Sequence, residues 1–213
     1  MPASTARPRS VPRSAPTLTP YEEYRTRFSN GEKGNLIHGR AILEMSSNYG
    51  HEQLFRLLYF VLTGYASAKD LGEVLGSRTL VKIDEQSGFE PDVLFIRNDR
   101  LSILTEQDVQ GAPDLAVEIV SPSSRKDDRG PKFDGYERLG VPEYWLIDPE
   151  RREADFFRLE DTDSGPRYRA APLSGGVFES AAVPGFRLDP QLLFQDPLPS
   201  EFEMLQRLLG DEA

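Results

Sequence analysis

The sequence contains no cysteine, so it offers neither a disulfide framework nor a thiolate metal site, and a reducing cytoplasm suits it. It has only two histidines, His38 and His51, which excludes chemistry dominated by imidazole. No apolar run approaches the roughly 18 residues of a membrane-spanning helix, so a soluble protein without a membrane partner is expected. Basic residues are also scarce: 25 Lys and Arg against 35 Asp and Glu give a formal net charge of -10. That balance argues against a broad nucleic-acid-binding surface, while leaving room for a local basic rim around an acidic metal site. No P-loop, GxGxxG fingerprint, zinc-ligand cluster or GxSxG elbow is present, so nucleotide-binding, dehydrogenase and serine-hydrolase readings have no support.

The chain is long enough for one domain with a sizeable core. Residues 1–20 are rich in Pro, Ser and Arg and contain no acid, so they are expected to form a disordered tail ahead of a single domain over 21–213. A short helix is expected over Tyr21 to Phe28. Asn35 to Met45 reads as a hairpin turning at His38-Gly39. Asn48 is placed to cap a core helix over His51 to Ala68, where Leu54, Leu57, Leu58, Val61, Leu62 and Tyr65 recur at helical spacing.

Strands are expected at Glu73 to Leu75, Thr79 to Ile83 and Pro91 to Ile96, with Asp84 to Gly88 as a turn. Leu115, Ala116, Val117, Ile119 and Val120 form an apolar run bounded by Pro113 and Ser121-Pro122, the pattern of a strand buried on both faces. After it, Asp128 as cap and Pro131 in the first turn start a helix that ends near Gly140, with Lys132 and Tyr136 on one face. Glu143 to Ile147 and Ala154 to Leu159 read as a hairpin. Tyr168 to Pro172 and Val177 to Ser180 read as a further pair, and Glu201 to Leu209 as a last helix. Trp145 and Phe156-Phe157 sit in strand patterns among aliphatic residues and are assigned to the core rather than to base stacking.

Glu118 interrupts the buried run. A carboxylate there is costly unless it is paired or bound to a cation. Asp92 stands in the same relation to the apolar run Val93 to Ile96, and two strand-borne acids of this kind suit a divalent-metal site. Asp114 repeats the Pro-Asp dipeptide. It lies four residues before Glu118, about 13 Å along a strand at 3.3 Å per residue, too far to chelate one ion with it.

The segments EPDVLFI, GAPDLAVEIVSPSS and GVPEYWLIDPE, together with Lys132 and Tyr136, closely resemble the Uma-two family of restriction-endonuclease-like proteins, a branch of the PD-(D/E)XK nuclease superfamily. The resemblance covers roughly residues 21 to 194. It implies an α/β (α+β) restriction-endonuclease-like fold, a mixed central β-sheet flanked by helices, and metal-dependent hydrolysis of phosphodiester bonds in DNA. It also implies Mg²⁺ or Mn²⁺ as cofactor, held by Asp92, Glu118 and the backbone carbonyl near Ile119, and it admits a homodimer. The superfamily lysine usually follows the acid by two residues. Here that position is Val120, so the motif offers Lys132 instead, with Lys126 as the alternative.

The family commonly carries a glutamate where this chain has Asn35, and it shares His51; Glu44 reads as an exposed strand carboxylate, with substitution for that glutamate as the alternative. The rival reading is a non-catalytic interaction module that keeps the fold, with Asn35 and Val120 marking lost chemistry.

Overall fold

The structure is a computed structural model and describes residues 18–29, 34–43, 48–76 and 78–210. Helix α1 (Tyr21–Ser29) leads into β1 (Gly34–Ile37), β2 (Arg40–Leu43) and the long helix α2 (Tyr49–Ala68). Strands β3 (Gly72–Gly76), β4 (Val81–Asp84), β5 (Ser87–Phe89) and β6 (Val93–Arg97) precede a 3-10 turn at Asn98–Ile103 and then β7 (Leu115–Ile119). Helices α3 (Arg125–Asp128) and α4 (Pro131–Leu139) cross to β8 (Glu143–Asp148). The described chain then runs through β9 (Glu153–Glu160), β10 (Arg167–Ala170), β11 (Phe178–Glu179), β12 (Arg187–Leu188) and α5 (Glu201–Gly210). The architecture is mixed α/β, as expected. Among the described residues no helix is long and apolar enough to cross a membrane.

The central sheet has six strands in the order β10-β9-β8-β7-β6-β3. It is mixed because β7 and β8, joined by helices, run parallel while every other neighbouring pair is antiparallel. Every residue of β7 is buried, Glu118 included, as the apolar run on either side of it implied. Alternation sends Leu115, Val117 and Ile119 to one face, where they meet Leu54, Leu58 and Leu62 of α2 and Met204 and Leu208 of α5. Ala116 points to the other face, against Tyr136 of α4 and residues of a second sheet. Helix α5 therefore packs on α2, with the Leu205 side chain lying over Gly64.

That second sheet, four strands in the order β2-β1-β5-β4, was not anticipated. The expected turn over Asp84 to Gly88 is shorter in the structure, and Ser87–Phe89 becomes strand β5, paired with both β1 and β4. The expected pairing of the strands near Tyr168 and Val177 is also corrected. Strand β10 joins the sheet edge against β9, while β11 pairs with β12. The hairpin turn at His38-Gly39 does form, both residues having positive φ as a tight turn demands. Thr19, inside the expected tail over residues 1–20, donates its N–H to Gly39 O; residues 1–17 lie outside the described residues.

The crossover from β7 is anchored from β8. Arg125 Nε donates to Asp148 Oδ2 at 3.0 Å, and the Arg151 N–H donates to Asp148 Oδ1 at 3.1 Å. Burial pushes the Asp148 carboxyl up, but the bonds from Arg125 and Arg151 outweigh it and hold the group below the usual carboxylate range. A depressed carboxyl contributes stability above its unfolded pKa, about 3.9, and loses that contribution as pH falls through the folded value. Asp148→Asn should therefore lower the melting temperature at neutral pH, with the gap to the unsubstituted protein closing below about pH 4. A gap that stays constant to acid pH would remove this ion pair from the account.

Candidate active site

The antiparallel register of β6 and β7 ends on Val93 opposite Val117, so one further step brings Asp92 opposite Glu118. Asp92 is tied to the next residue of β7, the Ile119 N–H donating to Asp92 Oδ2 at 2.7 Å. The other Asp92 oxygen faces His51 Nε2 at 3.3 Å. His51 owes its place to the start of α2, where Asn48 Oδ1 accepts the His51 N–H at 2.9 Å and caps the helix.

Glu118 is 3 % exposed. Its Oε2 accepts from Lys132 Nζ at 2.8 Å and its Oε1 from the Tyr136 hydroxyl at 3.0 Å. The Lys132 and Tyr136 side chains reach it because they lie four residues apart on α4, on the same helix face. Lys132 is 2 % exposed and also stands 3.3 Å from Asp128 Oδ1, itself only 1 % exposed. Burial pushes the carboxyls of Glu118 and Asp128 up, against the pull of Lys132. Burial and the Glu118 charge likewise push the Tyr136 hydroxyl up, so it stays a neutral donor.

His51, Asp92, Glu118, Asp128 and Lys132 line a cleft of about 540 Å³ that also includes Asn35, Ile42 and Leu43 of the hairpin and the Ser121 to Ser124 loop. A separate apolar trough along α2, lined by Phe55, Tyr59 and Phe60, has only exposed charges, Glu52 and Arg56, at its border, and none of the convergent polar groups of a reaction site.

The structure thus brings Asp92, Glu118, Ile119 and Lys132 together. Two other candidates, Asp114 and Lys126, lie elsewhere. Asp114 accepts the Arg97 N–H and pairs with Arg100 at 2.7 Å, which fixes it as an anchor for the 3-10 turn. Lys126 is exposed on α3. Glu44 lies outside the described residues, and Asn35 lines the cleft with its Oδ1 accepting from the Glu90 N–H at 2.8 Å.

Asp128 is a correction. Gly130 occupies the N-cap of α4, and Asp128 closes the preceding short helix with its carboxylate turned inward to Lys132. Its spacing of four from Lys132 was the available signal, hidden by the break that Gly130-Pro131 imposes between them.

Three acid groups, Asp92, Glu118 and Asp128, against the one ammonium of Lys132 put acid in excess of base in a confined space. A divalent cation matches that excess. Among the described residues no group of three His, Cys, Asp or Glu side chains forms a ready cage. The donor set instead fits an ion such as Mg²⁺, which typically takes only one or two carboxylates and completes its shell with water and substrate oxygens.

A family model named Uma2 and described as "Putative restriction endonuclease" matches residues 20–191. The chain belongs to the Uma2 family. Its fold is also that of a putative nuclease of the DUF820 family from Anabaena variabilis ATCC 29413, with a TM-score of 0.58 over 91 % of this chain and 99 % of that one. At 13 % sequence identity, that likeness speaks to the fold alone. A comparison with the curated proteins finds no match.

Proposed function

We propose that this Uma2 chain is a metal-dependent endonuclease of the PD-(D/E)XK type that hydrolyses phosphodiester bonds in DNA. The observation that carries the reading is the cluster of Asp92, Glu118 and Lys132 on one cleft floor, with acid in excess of base. Asp92, Glu118 and the Ile119 carbonyl would hold Mg²⁺ or Mn²⁺. When bound, such an ion supplies a more acidic water and offsets phosphate charge.

The chain's own residues have distinct tasks. His51 and the Ile119 N–H fix the two Asp92 oxygens, which orients the carboxylate. Tyr136 does the same for Glu118 from the core side. Lys132 stands in for the lysine missing at Val120 and stabilises negative charge as it develops on the scissile phosphate. The Val120 side chain packs in the core and reaches no reactant.

The same reading takes residues 21–213 as one restriction-endonuclease-like domain working in the cytoplasm, as a homodimer on duplex DNA. The second reading, an interaction module on the nuclease fold, draws on the net charge of -10 and on Asn35. The deciding test is cleavage of plasmid and linear DNA with Mg²⁺, Mn²⁺ or EDTA. The endonuclease reading expects nicking or linearisation that EDTA stops. Absence of cleavage under every metal condition would hand the fold to the module.

A further inference from the structure

Lys132 is committed to two anions at once. Its ammonium donates to Glu118 Oε2 at 2.8 Å and stands 3.3 Å from Asp128 Oδ1, on a side chain only 3 % exposed. If Glu118 alone held the lysine, the two tasks assigned to Glu118 would compete: charge turned toward a metal ion is charge withdrawn from Nζ. Asp128 removes the conflict. Its carboxylate comes from α3, outside the β6–β7 strand pair, and α3 is itself tied to β8 through Arg125 and Asp148. The Asp128 backbone is pinned as well, its carbonyl accepting from the Tyr144 hydroxyl at 3.1 Å.

We infer that Asp128 is a positioning residue: it holds the Lys132 ammonium at the cleft floor independently of Glu118, so that Glu118 is free to serve as a ligand. The inference rests on the nuclease reading for its purpose, though not for its geometry. Asp128 touches neither substrate nor metal in this scheme and acts wholly through Lys132. The sequence supports the division of labour, because the acid and the lysine sit four residues apart across Gly130-Pro131, a break that turns the last residue of α3 toward the first turn of α4.

Two measurements test this, one of them independent of any activity. The chain has five lysines, of which Lys132 is the buried one in this cluster. In protein labelled with ¹⁵N-lysine and free of metal, the Lys132 ammonium should give a distinct, slowly exchanging NMR signal. Asp128→Asn should broaden or abolish it, and addition of Mg²⁺ to the unsubstituted protein should leave it in place. In the cleavage assay Asp128→Asn should lower kcat about 100-fold, close to Lys132→Met, with the Mn²⁺ dissociation constant unchanged within about threefold.

If Asp128 acts through Lys132, the double variant Asp128→Asn/Lys132→Met should be no slower than Lys132→Met alone. The double variant removes both charges together and so stays informative where Asp128→Asn fails to fold. An Nζ signal unchanged in Asp128→Asn would overturn the inference, as would additive losses in the double variant. A fall in metal affinity with Asp128→Asn would also overturn it, by making Asp128 a ligand. If the unsubstituted protein cleaves no DNA, the function is refuted, while the NMR result still decides the positioning role.

Discussion

Lys132→Met should lower turnover on DNA by about 100- to 1000-fold, the usual loss when one electrostatic stabiliser of a transition state is removed. The same substitution should also cost stability. Methionine fills the space of the alkyl stem but leaves Glu118 and Asp128 buried without their shared cation, and breaking a buried pair from one side costs about 3–5 kcal/mol. The sequence alone suggests a change that folding tolerates, because methionine keeps much of the alkyl stem of the lysine. Its burial in the structure alters that expectation. Part of the loss returns at lower pH, since both carboxyls are already pushed up by burial and take protons readily. Chemical denaturation and single-turnover cleavage of Lys132→Met, at matched pH, separate the two effects. Turnover within about threefold of the unsubstituted protein would take Lys132 out of the chemistry, whatever the stability result.

Trp145→Ala should cost folding about 3–5 kcal/mol, as expected for truncating a fully buried aromatic. The indole packs against Phe156, Phe178 and Phe186 at centroid distances of 5.5, 5.4 and 5.9 Å. Phe156 and Phe178 are themselves stacked at 3.9 Å, so the cavity would open in the middle of an aromatic cluster. The substitution also removes the donor to Glu143 Oε1, an oxygen that keeps its bond from Ser180. Scaled at about 2–4 °C per kcal/mol for a chain of this size, the melting temperature should fall by about 6–20 °C. The folded fraction should still cleave normally, because the residue serves the core and not the cleft. A stable Trp145→Ala protein with weakened DNA binding would return it to the base-stacking role.

What could be read beforehand followed from local pattern. The β7 run is apolar but for Glu118 and bracketed by prolines, and α2 repeats leucine at helical spacing behind a capping asparagine, so both were legible residue by residue. The second sheet was not. Ser87-Gly88-Phe89 has no alternation to betray a strand, and it extends only because β1 and β4 flank it on both sides. β11 and β12 are two residues each and find one another across a loop, a pairing that depends on tertiary packing.

At the site, the need of Glu118 for a partner was legible from its burial. The family motif offered Lys132 at the site, but its direct pairing with Glu118 and that of Tyr136 were not legible, because both reach the carboxylate only once α4 has docked on β7. Asp128 escaped notice because an aspartate three residues before a proline reads as a cap, whereas the chain turns at Gly130 and points the carboxylate inward.

The claim on which the rest depends is that Asp92 and Glu118 jointly hold a divalent cation. Calorimetric titration of Mn²⁺ into the unsubstituted protein, Asp92→Asn and Glu118→Gln, without DNA, examines it directly. The account predicts one saturable site in the unsubstituted protein and at least tenfold weaker binding in each variant, with both variants still folded. A loss of that size is in the range seen when groups around a metal are removed, typically about 10- to 100-fold. Undiminished Mn²⁺ binding in either folded variant, or none in the unsubstituted protein at millimolar concentration, would contradict it.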